Sequence, residues 1–98
     1  MSRVLILRQE ADEDLSAIYE YLLQVDERTL EKFEGKLDAM FERITESPFL
    51  YAKVWRTVRA VKVRGFKYIV YYVVRSRFID VIAVVHGSRQ SSAWKSRV

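Results

Sequence analysis

The chain has 98 residues, half of them hydrophobic and 13% aromatic, with three Gly, one Pro and no Cys. That length supports a single core and so a single domain over residues 1–98. The composition excludes a disordered, collagen-like or low-complexity chain, and the lack of cysteine excludes a disulfide framework and a thiolate metal site. The net charge of +4 conceals a split: residues 1–46 carry six Lys/Arg against twelve Asp/Glu, and residues 47–98 carry eleven against Asp80 alone. Ten unbalanced positive charges exceed what six negative ones neutralise, so the basic half is expected to meet an anionic partner rather than only its own acidic half.

Residues 3–7, Arg-Val-Leu-Ile-Leu, read as a strand. This run is too short, and too soon followed by acidic residues, for a signal peptide. The carboxylates of Glu10, Asp12, Glu13 and Asp14 belong in a helix first turn, where exposed N–H groups favour negative charge. From there Ala11, Leu15, Ile18, Leu22 and Val25 form one apolar stripe of an amphipathic helix. Asp26 is a candidate N-cap for a second helix, whose stripe is Leu30, Phe33, Leu37, Met40 and Ile44 and whose outward positions are charged. Ser47-Pro48 stops it, and the short connection predicts an antiparallel helical hairpin.

After Pro48 the apolar period changes from 3.6 to 2. Residues 58–64, 68–74 and 78–86 read as three strands joined by connections short enough for an antiparallel meander. The run 68–74 is apolar on both faces, hence central and covered, and it is far shorter than the ~20 residues that span a bilayer. A soluble cytoplasmic domain without membrane contact is expected. The tail from Gly87 onward is polar and basic, with Trp94 as its large aromatic, and is expected to add little to the core. The layout is thus α+β, β-α-α-β-β-β, with the helical hairpin on one sheet face and an open, basic face opposite.

One His, no Cys and dispersed carboxylates give no metal site, the glycines form no phosphate-binding loop, and no cofactor is expected. A Ser88–His86–Asp80 triad fails because Asp80 and His86 lie ~20 Å apart along one strand. What remains is a surface where Arg59, Lys62, Arg64, Lys67, Arg75, Arg77, Arg89, Lys95 and Arg97 mix with Phe66, Tyr68, Tyr72 and Trp94, a composition that holds a polyanion or an acidic peptide. His86 is either a general acid or base or a histidine bonded to the tail and packed beside Trp94. Trp94 is either an anchor for the tail or a stacking platform.

The pattern Ala11-x-x-Asp14-Leu15-x-x-Ile18-x-x-Tyr21, Pro48 closing the second helix, then Tyr68-Ile69-Val70-Tyr71-Tyr72-Val73 and Val81-Ile82-Ala83-Val84-Val85-His86-Gly87-Ser88-Arg89 resemble the ParE/RelE superfamily, the toxins of type II toxin–antitoxin (plasmid stabilisation) systems. The similarity runs over nearly the whole chain and implies the same β-α-α-β-β-β order. It also implies a cognate antitoxin, acidic and folding as it binds, in a toxin–antitoxin hetero-oligomer.

RelE-like members cut mRNA on the ribosome, whereas ParE-like members inhibit DNA gyrase. A RelE-type site here would draw on His86, Arg89, Lys62 and Arg64, but Tyr68 and Gly87 stand where that branch has arginines, and the tail acid/base falls at Ala93 or Trp94. The ParE-like branch, which inhibits by binding, is therefore the expectation, so the chain is not expected to be an enzyme. A ribosome-dependent mRNA endonuclease and a non-toxic nucleic-acid-binding module are the alternatives. Target contacts are expected at Arg59, Lys62, Arg64, Lys67, Arg89, Trp94, Lys95 and Arg97, and antitoxin contacts at Leu15, Ile18, Tyr19, Leu22 and Tyr72.

Overall fold

The computed structural model describes residues 3–88 and 93–98. Helix α1 (Gln9–Val25) buries Ala11, Leu15, Ile18 and Leu22 and carries Glu10 and Asp12 in its first turn. Helix α2 (Glu27–Glu46) buries Phe33, Leu37, Met40 and Ile44. Asp26 alone separates them. Its extended backbone donates to the Leu22 carbonyl, and its own carbonyl accepts from Thr29 and Leu30, so this residue ends one helix and starts the next. The expected cap is thus made by the main chain, without a side-chain bond from Asp26. Val25 departs from the expected stripe: at the hairpin tip it is 57% exposed, with the core already closed at Leu22.

The expected meander is present as β3 (Val58–Lys62), β4 (Tyr68–Val74) and β5 (Phe78–His86), paired antiparallel. Gly65, at φ +83, makes the β3–β4 turn in a conformation that glycine adopts without steric cost. Two additions complete a five-stranded mixed sheet in the order β1-β5-β4-β3-β2. Strand β1 (Val4–Leu7) lies parallel to β5, the two being joined through the helical hairpin and the three intervening strands. Strand β2 (Lys53–Trp55) folds back on β3 through Arg56-Thr57. Arg56 sits at φ +51, a left-handed conformation costing a side-chain-bearing residue about 1–2 kcal/mol.

The two sheet faces hold separate cores. Toward the helices lie Val70, Tyr72, Ile79, Val81 and Val84, and away from them lie Val58, Val73, Ile82 and Ala83. The alternation breaks at a bulge in β5, where Tyr71 pairs Ala83 but Tyr72 pairs Val81. Ile82 is the extra residue, so Ile82 and Ala83 both face away from the helices.

This second core corrects the expectation of an open basic face. A 3-10 turn, Ala93–Arg97, folds across it and buries Trp94 to 7% exposure. The indole stacks on Tyr71 at 4.4 Å and meets Trp55 edge-on at 5.8 Å. The tail therefore belongs to the core, and Trp94 is its anchor.

Candidate functional site

Many of the cations are committed to holding the fold. Asp80, the single acid of the basic half, is 5% exposed and receives Arg8 at 2.6 Å and Arg75 at 3.0 Å. A buried carboxylate is tolerated when its charge is paired, which two guanidiniums accomplish here. Arg59, expected among target contacts, pairs across from Tyr72 on the helix-facing side. It donates to the Tyr51 carbonyl at 2.6 Å, while the Tyr72 hydroxyl donates to the Pro48 carbonyl at 2.8 Å. Together they staple the segment after α2 to the sheet. By contrast, Lys62, Arg64 and Lys67 are exposed. Arg89 lies outside the described residues.

Arg97 is likewise engaged within the fold, and the reason lies in the sheet edge. β1 ends at Leu7, beside Val81, so β5 runs on with an unpaired outer edge. Asp14 reaches that edge from α1 and accepts the Val84 N–H at 3.1 Å. The same carboxylate receives Arg97 at 2.7 Å, and Arg97 also donates to the Ile82 carbonyl at 3.0 Å. One aspartate thus satisfies an orphan strand amide and fastens the C-terminal turn. Sequence reading placed Asp14 in a motif but gave it no partner, since both lie far away along the chain.

Between α1 and this end of the sheet lies a groove of about 630 Å³. Ile18, Leu22 and Val84 line it together with Ala17, Tyr21 and Phe66. Of the expected antitoxin contacts, Ile18 and Leu22 line the groove and Tyr19 stands half-buried, edge-on to Phe33. Leu15 and Tyr72 are enclosed in the core, at 3% and 0% exposure, and offer a partner no surface. Tyr21, 59% exposed on the rim, lines the groove without being among the expected contacts. Its signals in the sequence are its place in the first-helix motif and its position one turn beyond Ile18, on the flank of the stripe.

His86 also lines the groove, edge-on to Tyr68 at 5.3 Å, rather than lying beside Trp94. Its Nδ1 accepts the Ser88 amide at 3.1 Å and lies 2.6 Å from the Ser88 hydroxyl. An amide N–H always donates, so Nδ1 is the acceptor and a neutral ring carries its proton on Nε2. No relay to Asp80 exists, because that carboxylate is held by Arg8 and Arg75. Gly87 has a packing reason of its own. A Cβ there would stand 3.2 Å from the Lys67 carbonyl oxygen and 3.3 Å from Ile69. A larger residue at that position would have to push the β3–β4 turn aside. Among the described residues no His, Asp and Glu group is placed to hold a metal ion, and no helix is long and apolar enough to cross a membrane.

A helical hairpin on a five-stranded mixed sheet, with an apolar groove on the helix side and a basic, aromatic face opposite, defines a class of small α+β proteins. The chromosomal ParDE toxin–antitoxin system of P. aeruginosa contains a chain of this fold, with a TM-score of 0.73 at 16% identity over 87% of this chain and 96% of that one. Toxin ParE2 of Mycobacterium tuberculosis, in strains CDC 1551 / Oshkosh and H37Rv, is 25% identical over 99 residues, spanning all of this chain and 94% of the relative. Residues 5–91 match the family described as ParE toxin of type II toxin-antitoxin system, parDE. The chain belongs to the ParE family of type II toxin–antitoxin toxins.

Proposed function

We propose that this toxin poisons DNA gyrase by binding it, without chemistry of its own, and is neutralised by a cognate antitoxin. The observation that carries the reading is the ParE family match over residues 5–91. Two features of the site support it. The tail position where a ribonuclease of the superfamily would need its acid/base falls at Ala93 or Trp94, and Trp94 is buried against Tyr71. Neither a methyl group nor an indole there transfers a proton, and a missing acid/base typically costs two to four orders of magnitude in rate. His86 has its Nδ1 engaged by the Ser88 amide. Inhibition by binding needs a surface instead, and exposed Lys62, Arg64 and Lys67 supply charge for one.

The antitoxin is assigned to the groove beside α1, where Ala17, Ile18, Tyr21 and Leu22 offer apolar contact and Lys67 a positive rim. A cytoplasmic setting follows from this reading. Purified toxin is expected to inhibit gyrase supercoiling and to accumulate cleaved DNA complexes. Unimpaired supercoiling at a large molar excess, with A-site cuts appearing in translated mRNA from the same preparation, would replace gyrase by the ribosome.

A further inference from the structure

Among the described residues Arg3 and Arg59 lie over the Phe49 ring while donating to backbone carbonyls, whereas two cations on the helix-distal face are held on indole rings. Arg8, Arg75 and Arg97 are spent on carboxylates, and Arg59 on backbone carbonyls. Arg56 and Lys95 rest on indole rings instead. The Arg56 guanidinium lies 4.4 Å from the centre of Trp55, and the Lys95 ammonium lies 5.2 Å from the same centre and 5.8 Å from that of Trp94. A carboxylate both orders and neutralises a long cationic side chain, whereas a ring face orders it and leaves its charge intact. Part of the rotamer freedom that binding would remove is therefore already gone. The support is rigid, because Trp94 is buried, stacked on Tyr71 and met edge-on by Trp55.

The backbone adds a second, independent observation. Arg56 occupies the left-handed conformation of a two-residue hairpin turn, a place where Gly or Asn is the ordinary occupant. A strained turn that keeps a long cation, exposed and laid over the neighbouring ring, points to use of that cation. Among the described residues no carboxylate pairs with it, the ion pairs being those of Arg8 and Arg75 with Asp80 and of Arg97 with Asp14.

We propose that Arg56 and Lys95, braced on Trp55 and Trp94, form a binding site for the phosphodiester backbone of nucleic acid, with duplex DNA as the ligand. Two charges over one ring lie within roughly 10 Å of each other, and duplex DNA offers one phosphate charge per about 1.7 Å of axis, so both cations engage one stretch of backbone. An acidic polypeptide is the lesser fit, because it folds onto apolar surface and the groove that provides it is on the helix side of the sheet. Contacts of this kind neutralise phosphates without reading bases, so binding is salt-dependent and indifferent to sequence. The site stands or falls apart from the gyrase reading.

Fluorescence anisotropy of the full chain with a short labelled DNA duplex tests it, beside an RNA duplex of matching sequence and poly-glutamate. DNA is expected to bind with Kd of about 10⁻⁴–10⁻⁶ M at physiological salt. Arg56→Gly and Lys95→Gln should each weaken binding about five- to tenfold and lower the log–log salt slope by about one. Arg56→Gly relieves the left-handed strain, so its melting temperature should hold or rise, which separates lost binding from lost folding. Arg28→Gln, an exposed cation at the start of α2 and away from this face, should change binding less than about twofold by the same salt-slope reasoning. Equal affinity for the RNA duplex would support backbone recognition. Wild-type binding by both Arg56→Gly and Lys95→Gln would overturn the site, and poly-glutamate binding as tightly as DNA would reassign it to an acidic protein surface.

Discussion

Burial pushes the Tyr72 phenol up to about 12, with Tyr51 adding to the rise and Arg59 pulling the other way. Tyr19 and Tyr71 are also raised, both by burial, and Tyr19 further by Glu34, Asp38 and Asp12. An unfolded tyrosine ionises near 10, so the stability held by the neutral Tyr72 is complete below about pH 10 and is lost as pH climbs through about 12. Melting temperature should therefore fall across that window, with part of the tyrosinate absorbance lagging behind free tyrosine. Tyr72→Phe should cost about 1 kcal/mol at neutral pH, through the lost bond to Pro48, and should flatten the alkaline decline. Gly35 gives a prediction of opposite sign. It lies exposed within α2 with nothing within 4 Å of its missing Cβ, so Gly35→Ala should raise stability by about 0.5–1 kcal/mol in urea unfolding. At this scale the sequence was legible where a residue type is nearly decisive, as with Pro48. It was opaque where the role depends on a distant partner, as with Asp14, Arg59 and Arg97.

Elements were read in proportion to their length and regularity. The helices and strands β4 and β5 carry enough apolar repeats to declare themselves, whereas β2 is three residues long and exists because the Arg56 turn lays it on β3. The parallel placement of β1 is a long-range choice that no local pattern encodes. The C-terminal turn was the costliest omission. Its Ala-Trp-Lys-Ser-Arg sequence has no period, and the apolar floor that receives Trp94 exists only after the β5 bulge turns Ile82 and Ala83 to one side. Trp94→Ala should consequently cost about 3–5 kcal/mol in urea unfolding, the range for losing a buried large aromatic. Removing residues 88–98 should abolish cooperative melting rather than leave a folded hairpin. Asp14→Ala and Arg97→Ala should show a coupling energy of about 1 kcal/mol in a double-mutant cycle, because the pair is part-buried and shares an anchor on β5. Simple additivity would mean the two act separately.

For the molecule as a whole, the charge split between the halves was plain in the sequence, but its direction in space was not, because many cations turn inward to carboxylates and carbonyls. The fold leaves a sheet with two distinct sides: an apolar groove against α1, and a cationic, aromatic surface beyond the second core. If the proposed antitoxin takes the first and the target takes the second, the two activities are separable by point substitution. Ala17→Glu adds bulk and a charge like that of the acidic antitoxin to the exposed groove wall without entering the core. Cells carrying it should stop growing even when antitoxin is co-expressed, and purified toxin should still inhibit gyrase. Lys62 pairs across from Ile69, and its exposed side chain belongs to the opposite surface. Lys62→Glu should let cells grow without antitoxin, while the chain still captures antitoxin in a pull-down. Loss of both activities in either variant, with folding intact by circular dichroism, would place antitoxin and target on one overlapping surface and refute the division.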